Sequence, residues 1–271
     1  MSLRIQNNVE AFNAHRQLAG TGVKQAKAME RLSSGYRINR AADDAAGLAI
    51  SEKLRAQVGG LGQAQRNAQD AVSLVQTAEG ALAEVHSMLQ RVRDLAVQFN
   101  NGTLSTADKA AITAEVTQLS SEISRIGTDT KFNGISLLSG GGAITFQVGA
   151  EDGQTLSVNA RTLYAASGAD VDSDIFAFSG TVNLANIDTA IENVSTARST
   201  FGSVQNRLEH TLNNLATYEE NLIASESRVR DVDMAAEMVE FTKLNILQQA
   251  GTSMLAQANQ TPQNVLTLLR G

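Results

Sequence analysis

Residues 187–232 read IDTAIENVSTARSTFGSVQNRLEHTLNNLATYEENLIASESRVRDV, and in them Ile187, Ala190, Val194, Ala197, Phe201, Val204, Leu208, Thr211, Leu215, Tyr218, Leu222, Ser225, Val229 and Val232 recur at alternating spacings of three and four. That is the period of a single stripe along a coiled-coil helix. Such a stripe must be buried against other helices, and the N-terminal half supplies them. Val58, Leu61, Ala68, Val72, Val75, Leu82, Val85, Leu89, Val92, Ala96 and Phe99 form a second stripe, weakened at Gln65 and expected to slip register near Ala78. No proline interrupts 44–100, so this helix would extend about 85 Å at 1.5 Å per residue. After a break at Asn101-Gly102, a shorter partner through Ile112, Val116, Leu119, Ile123 and Ile126 starts at Ser105, with Asp108 three residues on as an acidic capping box.

The fold class expected is therefore mainly α: a long antiparallel coiled-coil bundle with N- and C-terminal helices paired and a small β-hairpin region in the middle. Composition agrees. Of 271 residues 42% are hydrophobic but only 4% aromatic, with one Pro and no Trp, which points to packing by Leu, Val, Ile and Ala. The chain has no Cys, so it carries no disulfide frame and no thiol chemistry. No run of 18 apolar residues suggests membrane insertion, and Met1 to Asn8 lacks the apolar core of a cleaved secretory signal. A net charge of -6 argues against nonspecific nucleic-acid binding.

Turn chemistry is concentrated in the middle. Lys131-Phe132-Asn133-Gly134 carries a turn dipeptide, and the alternating Ile144, Phe146 and Val148 are separated from Leu156 and Val158 by Glu151-Asp152-Gly153, which reads as a β-hairpin. Residues 160–182 have no sustained period and read as a surface insertion.

The two ends differ from the bundle. Residues 4–32 show a thin seam of Ile5, Val9, Phe12, Ala19, Val23 and Ala26, interrupted by Arg16 and Glu30, too weak to order a helix alone. At the other end Leu244, Leu247, Gly251, Met254, Ala258, Thr261, Val265 and Leu268 keep the 3-4 spacing, one residue out of register with the seam ending at Val232. A joint is thus expected near Asp231 and Asp233, matching the polar joint at Ser33-Ser34-Gly35. Ile246, Leu255, Leu266 and Leu269 lie off the tail's seam and give it a second apolar face. A two-faced helix needs more than one neighbour. Burial against other copies of the chain is the reading preferred over burial within the monomer. The divisions expected are 1–40 and 233–271 for the terminal pair, 41–130 and 186–232 for the bundle, and 131–185 for the hairpin and surface region.

Arg31-Leu32-Ser33-Ser34-Gly35-Tyr36-Arg37-Ile38-Asn39, followed by Asp43-Asp44-Ala45-Ala46-Gly47-Leu48-Ala49-Ile50, closely resembles the N-terminal signature of bacterial flagellins. Ser225-Glu226-Ser227-Arg228-Val229-Arg230-Asp231-Val232-Asp233-Met234, Gln248-Gln249-Ala250 and Met254-Leu255-Ala256-Gln257-Ala258-Asn259-Gln260 resemble the C-terminal signature. The similarity covers about the first 140 and the last 85 residues, so the chain resembles a compact flagellin lacking large outer domains. Tyr36, Arg40 and Gly271 depart from the family pattern.

The resemblance implies a structural subunit, exported unfolded through the flagellum-specific type III apparatus and polymerised helically into the extracellular filament that drives swimming. Its partners would be other copies of itself, the cap and hook-filament junction proteins at the filament's ends, and an export chaperone on the C-terminal helix. Ile5, Val9, Phe12, Leu244, Leu247, Met254, Ala258, Val265 and Leu268 would form the polymerisation seam. Arg31, Asp43, Asp44, Arg228, Asp231 and Asp233 would serve the joint or contacts between subunits. Leu89 to Gln98 resembles the segment by which vertebrates sense flagellins through a Toll-like receptor, with Gln90, Arg91, Leu95 and Glu115 as contacts. The alternatives are a hook-filament junction protein and a monomeric secreted coiled-coil adaptor.

An enzyme is not expected. His15, His86 and His210 are scattered and no His-Glu-x-x-His occurs. Asp43 and Asp44 fall where a helix begins, where negative charge is favourable against the dipole. The run Gly140 to Gly142 is followed by no Gly-Lys-Ser/Thr, and no cofactor or metal site is indicated.

Overall fold

The computed structural model describes residues 8–140, 142–159, 176, 178 and 182–270, with side chains described as far as Gln260. The expectations for Ile5, for most of 160–182, and for the side chains of Thr261, Val265, Leu266, Leu268 and Leu269 lie outside the described residues. Five helices and four short strands occur among those described. They are α1 (Val9–Ser34), α2 (Ala45–Phe99), α3 (Thr106–Asp129), β1 (Lys131–Phe132), β2 (Ile135–Ser136), β3 (Ala143–Gln147), β4 (Thr155–Asn159), α4 (Leu184–Arg230) and α5 (Met234–Arg270). The chain divides into two compact units, one of residues 1–56 with 222–271 and one of residues 57–221, and α2 and α4 contribute to both. The joints near Ser33 and Asp233 lie inside the first unit, and the boundaries at 130 and 185 lie inside the second.

In the second unit α4 buries Ile187, Ala190, Val194, Ala197, Phe201, Val204, Leu208 and Leu215, on the seam read from sequence. Its partner stripe on α2 differs from the expectation. Leu61, Ala64, Ala68, Ala71, Val75, Ala78, Leu82, Val85, Leu89, Val92, Ala96 and Phe99 are all buried, an unbroken alternation of three and four with no slip at Ala78. Val72 is only partly buried, and Gln65 lies off the seam, donating to Glu219 Oε2 at 2.6 Å. The seam holds alanines at 64, 71 and 78, and a reading weighted by side-chain size misses them. Within this core α3 contributes Ile112, Val116 and Ile123, with Leu119 and Ile126 packed at its margin.

The N-terminus of α3 is held by the expected capping box. The Ser105 hydroxyl accepts from Asp108 N at 3.2 Å, and Asp108 Oδ2 accepts from Ser105 N at 3.0 Å. After α3, Asn133 (φ 48°) and Gly134 (φ 80°) make the two-residue turn of the β1–β2 hairpin, a geometry that needs positive φ at both central positions. In the expected hairpin, β3 and β4 pair Ile144 with Val158 and Phe146 with Leu156. Leu156 and Val158 are buried in the core of this unit.

Candidate functional site

The first unit contains both chain breaks, and they are tied to each other. Gly35 ends α1 in the left-handed conformation (φ 76°), its N–H donating to Arg31 O at 2.9 Å, a role that glycine fills without a Cβ penalty. Tyr36 then forms an antiparallel bridge with Asp231. Arg37 N donates to Arg230 O at 2.7 Å, and Val232 N donates to Gly35 O at 3.0 Å. Two segments almost 200 residues apart in sequence thereby satisfy the backbone groups that the helix ends leave open.

Side chains reinforce this joint. The Arg37 guanidinium donates to Val229 O at 2.6 Å. Arg230 lies 4.8 Å over the Tyr36 ring and reaches Glu52 at 2.6 Å, combining a cation–π contact with an ion pair. Asp43 Oδ2 accepts from Asn39 N and Arg40 N at 3.3 and 3.2 Å, while its Oδ1 meets Lys27 at 2.6 Å. The Lys27 ammonium and the backbone N–H of Arg40 hold its carboxyl down at about 2. Asp44 starts α2, its Oδ1 accepting from Gly47 N at 2.9 Å. Asp233 does the same for α5, accepting from Ala235 N and Ala236 N at 2.9 and 3.1 Å. Arg31 crosses to Glu237 at 3.5 Å.

Of the joint residues expected from sequence, Arg31, Asp43, Asp44, Asp231 and Asp233 are thus brought together. Arg228 is not: it is exposed and donates to Ser225 on its own helix at 2.9 Å. Tyr36, Arg37, Glu52 and Arg230 were missed, because an Arg–Tyr–Glu cluster assembled across 178 positions has no local spacing.

The terminal pair has two distinct faces. Helices α1 and α5 pack antiparallel, with Arg31 opposite Glu237, Gly22 near Gln248, Leu18 against Gly251, and Asn8 Nδ2 donating to Ala258 O at 2.8 Å. The residues of α1 withdrawn from solvent include Ala11, Ala14, Leu18, Thr21, Gly22, Gln25, Ala28 and Leu32, and those of α5 up to Gln260 include Glu237, Phe241, Leu244, Gln248, Gly251, Leu255 and Ala258. On α1 the expected seam lies on the other side, and on α5 it is turned only about 50° from the pairing face. Val9, Phe12 and Val23 are 56, 73 and 71% exposed, and Leu247 and Met254 are 47 and 65% exposed. Among the described residues of that seam, Leu244, buried at 4%, and the half-buried Gly251 and Ala258 belong to the pairing face. At 100° per residue the Val9–Phe12–Val23 stripe lies about 160° from the pairing face of α1, and Val239 with Ile246 stands about 160° from that of α5. The helices meet through small and polar residues interleaved with Leu18, Leu32, Phe241, Leu244 and Leu255, and carry further large apolar residues outward.

Residues 5–143 match the bacterial flagellin N-terminal helical region and residues 184–269 match the bacterial flagellin C-terminal helical region. The chain belongs to the bacterial flagellins. Among flagellins it is 53% identical to one from Halalkalibacterium halodurans, covering 98% of this chain and 99% of that one. It is 48% identical to the Bacillus subtilis flagellin, covering 99% of this chain and all of that one. The crystal structure of a Bacillus cereus flagellin is 35% identical over 55% of this chain and 88% of that chain, with a TM-score of 0.48.

In the second unit of this flagellin, Gln90, Arg91 and Glu115 are exposed. Arg91 pairs with Glu115 at 2.7 Å, joining α2 to α3, and Gln90 Nε2 lies 3.0 Å from His86 Nε2. Leu95 departs from its expected role as a surface contact. It is 2% exposed and sits in the core, so it supports this surface from beneath. Bacterial flagellins are a structural family, and no helix among the described residues is long and apolar enough to cross a membrane.

Proposed function

We propose that this chain is the structural subunit of a flagellar filament, exported unfolded and polymerised helically outside the cell. The observation that carries the reading is the second, outward apolar face of the terminal pair. Phe12, Val23, Val239 and Ile246 are more than half exposed on helices whose paired faces already enclose Leu18, Phe241, Leu244 and Leu255. Exposed apolar surface of this extent marks an interaction site, and in a member of this family the fitting occupant is another copy. Residues 1–40 and 233–271 would form the filament core, 41–130 and 186–232 the surrounding bundle, and 131–185 the outward surface. Electron microscopy of purified protein after seeding tests this: long helical filaments are expected, and persistent monomer would refute the reading in favour of an adaptor.

The same apolar tail suits an export chaperone that wraps Leu244, Leu247, Met254 and Leu268. Leu244 is covered by α1 in the folded monomer, so the chaperone would hold α5 before it pairs. The cap and hook-filament junction proteins would meet the filament at its ends. A second reading rests on the exposed Gln90, Arg91 and Glu115, which offer a polar patch to a vertebrate Toll-like flagellin receptor. Replacing Arg91 by Glu should abolish receptor signalling by monomer, and an unchanged dose response would remove the assignment.

A further inference from the structure

The methionines of this chain are distributed unevenly. Six occur, and five lie among the described residues. Met88 alone is in the second unit, where it packs against the core. Met29, Met234, Met238 and Met254 all sit on the terminal pair, 53, 49, 50 and 65% exposed. Because Arg31 faces Glu237, Met29 lies at the level of Met238, within a turn of the joint, and Met254 shares a side of α5 with the exposed Leu247.

We propose that these four methionines are oxidation sites through which peroxide blocks assembly of the monomer. The inference rests on the filament reading above, since it needs the outward faces of α1 and α5 to be covered by other copies. In the step itself the thioether sulfur attacks one peroxide oxygen and the O–O bond breaks. The sulfur gains that oxygen as a sulfoxide, losing two electrons, and hydrogen peroxide leaves as water. An unbranched apolar side chain that adapts to a neighbour's surface becomes a polar one with a strong acceptor. Buried at an apolar contact without a donor, that acceptor opposes association. Val239, Ile246 and Leu247, exposed on α5, have no side-chain donor to offer a sulfoxide. Once subunits have assembled, the same sulfurs are shielded, so the gate acts on the free monomer and spares the finished filament.

The test treats monomer and preformed filament with hydrogen peroxide, maps oxygen addition by peptide mass spectrometry, and measures the critical concentration for seeded polymerisation. Oxidation of Met29, Met234, Met238 and Met254 in monomer, with Met88 spared, is expected to raise that concentration roughly tenfold or more. Methionine sulfoxide reductases should restore it, and the variant Met29→Leu/Met234→Leu/Met238→Leu/Met254→Leu should be indifferent to peroxide. Undiminished assembly of fully oxidised monomer would overturn the inference, as would lost assembly that the reductases fail to restore. If the Leu variant does not assemble, the reductase arm decides. Failure of untreated wild-type protein to polymerise would instead strike the filament reading itself.

Discussion

Phe12→Ala separates the two faces of the terminal pair. Phe12 is 73% exposed in the monomer, and complete burial of such a side chain is worth about 1.5–3 kcal/mol. If the filament covers what the monomer leaves open, truncation removes about 1–2 kcal/mol per subunit, and the critical concentration should rise about 5- to 30-fold. Monomer stability should change by no more than about 0.5 kcal/mol, as for an exposed substitution. Leu18→Ala provides the opposite control, because Leu18 meets Gly251 across the pair. It should increase protease trimming of the free monomer more than Phe12→Ala does. Pelleting after seeding with wild-type fragments gives the critical concentration, and far-UV circular dichroism gives monomer stability. An unchanged critical concentration for Phe12→Ala, or an equal loss of monomer stability in both variants, would refute the assignment of the outward face.

Gly47→Ala should destabilise the first unit by about 1–3 kcal/mol despite the better helix propensity of Ala. Its Cβ would lie 2.5 Å from the capping Asp44 Oδ2 and 2.7 Å from Ile38 Cδ1, and an unchanged urea midpoint would contradict this. Asp43, held at about 2 chiefly by Lys27 and then by the backbone of Arg40, contributes stability that is present above the ordinary carboxylate range and lost as pH falls toward 2. Asp43→Asn should therefore flatten the acid limb of joint stability followed by limited acid proteolysis, and an acid limb as steep as wild type would exclude that role. Gln248→Leu should slow trimming of the monomer, because Gln248 Oε1 is buried in the pairing seam with no hydrogen-bond partner and an orphaned acceptor costs about 1–3 kcal/mol. Faster trimming would show that the amide stabilises the pair.

The parts of the fold legible in sequence are those where chemistry is local. The α4 seam is built from Ile, Val, Phe and Leu as well as Ala, the Ser105–Asp108 box spans three residues, and Asn133-Gly134 specifies its turn alone. Seams of small residues were not legible. Ala64, Ala71 and Ala78 were passed over on α2, and on α1 and α5 the outward Phe12, Val23 and Met254 drew the register away from Ala14, Gly22, Gln248 and Gly251. Size-weighted periodicity finds the face that most needs covering, and in a subunit built to assemble that face points away from its own monomer. Leu95 was expected as a contact from the family resemblance, which does not distinguish a surface residue from one buried beside Ala96. The Tyr36–Arg230–Glu52 cluster could be found only in three dimensions.

Other copies should cover the large apolar residues that the terminal pair leaves exposed in the monomer. Side-chain footprinting of monomer and filament by a photochemical carbene reads this directly at Phe12, Val23, Val239 and Ile246. The account predicts heavy labelling of all four in monomer and strong protection in the filament, with the buried Ala28 and Leu244 unlabelled in both. Equal labelling of the four positions in monomer and filament would contradict it.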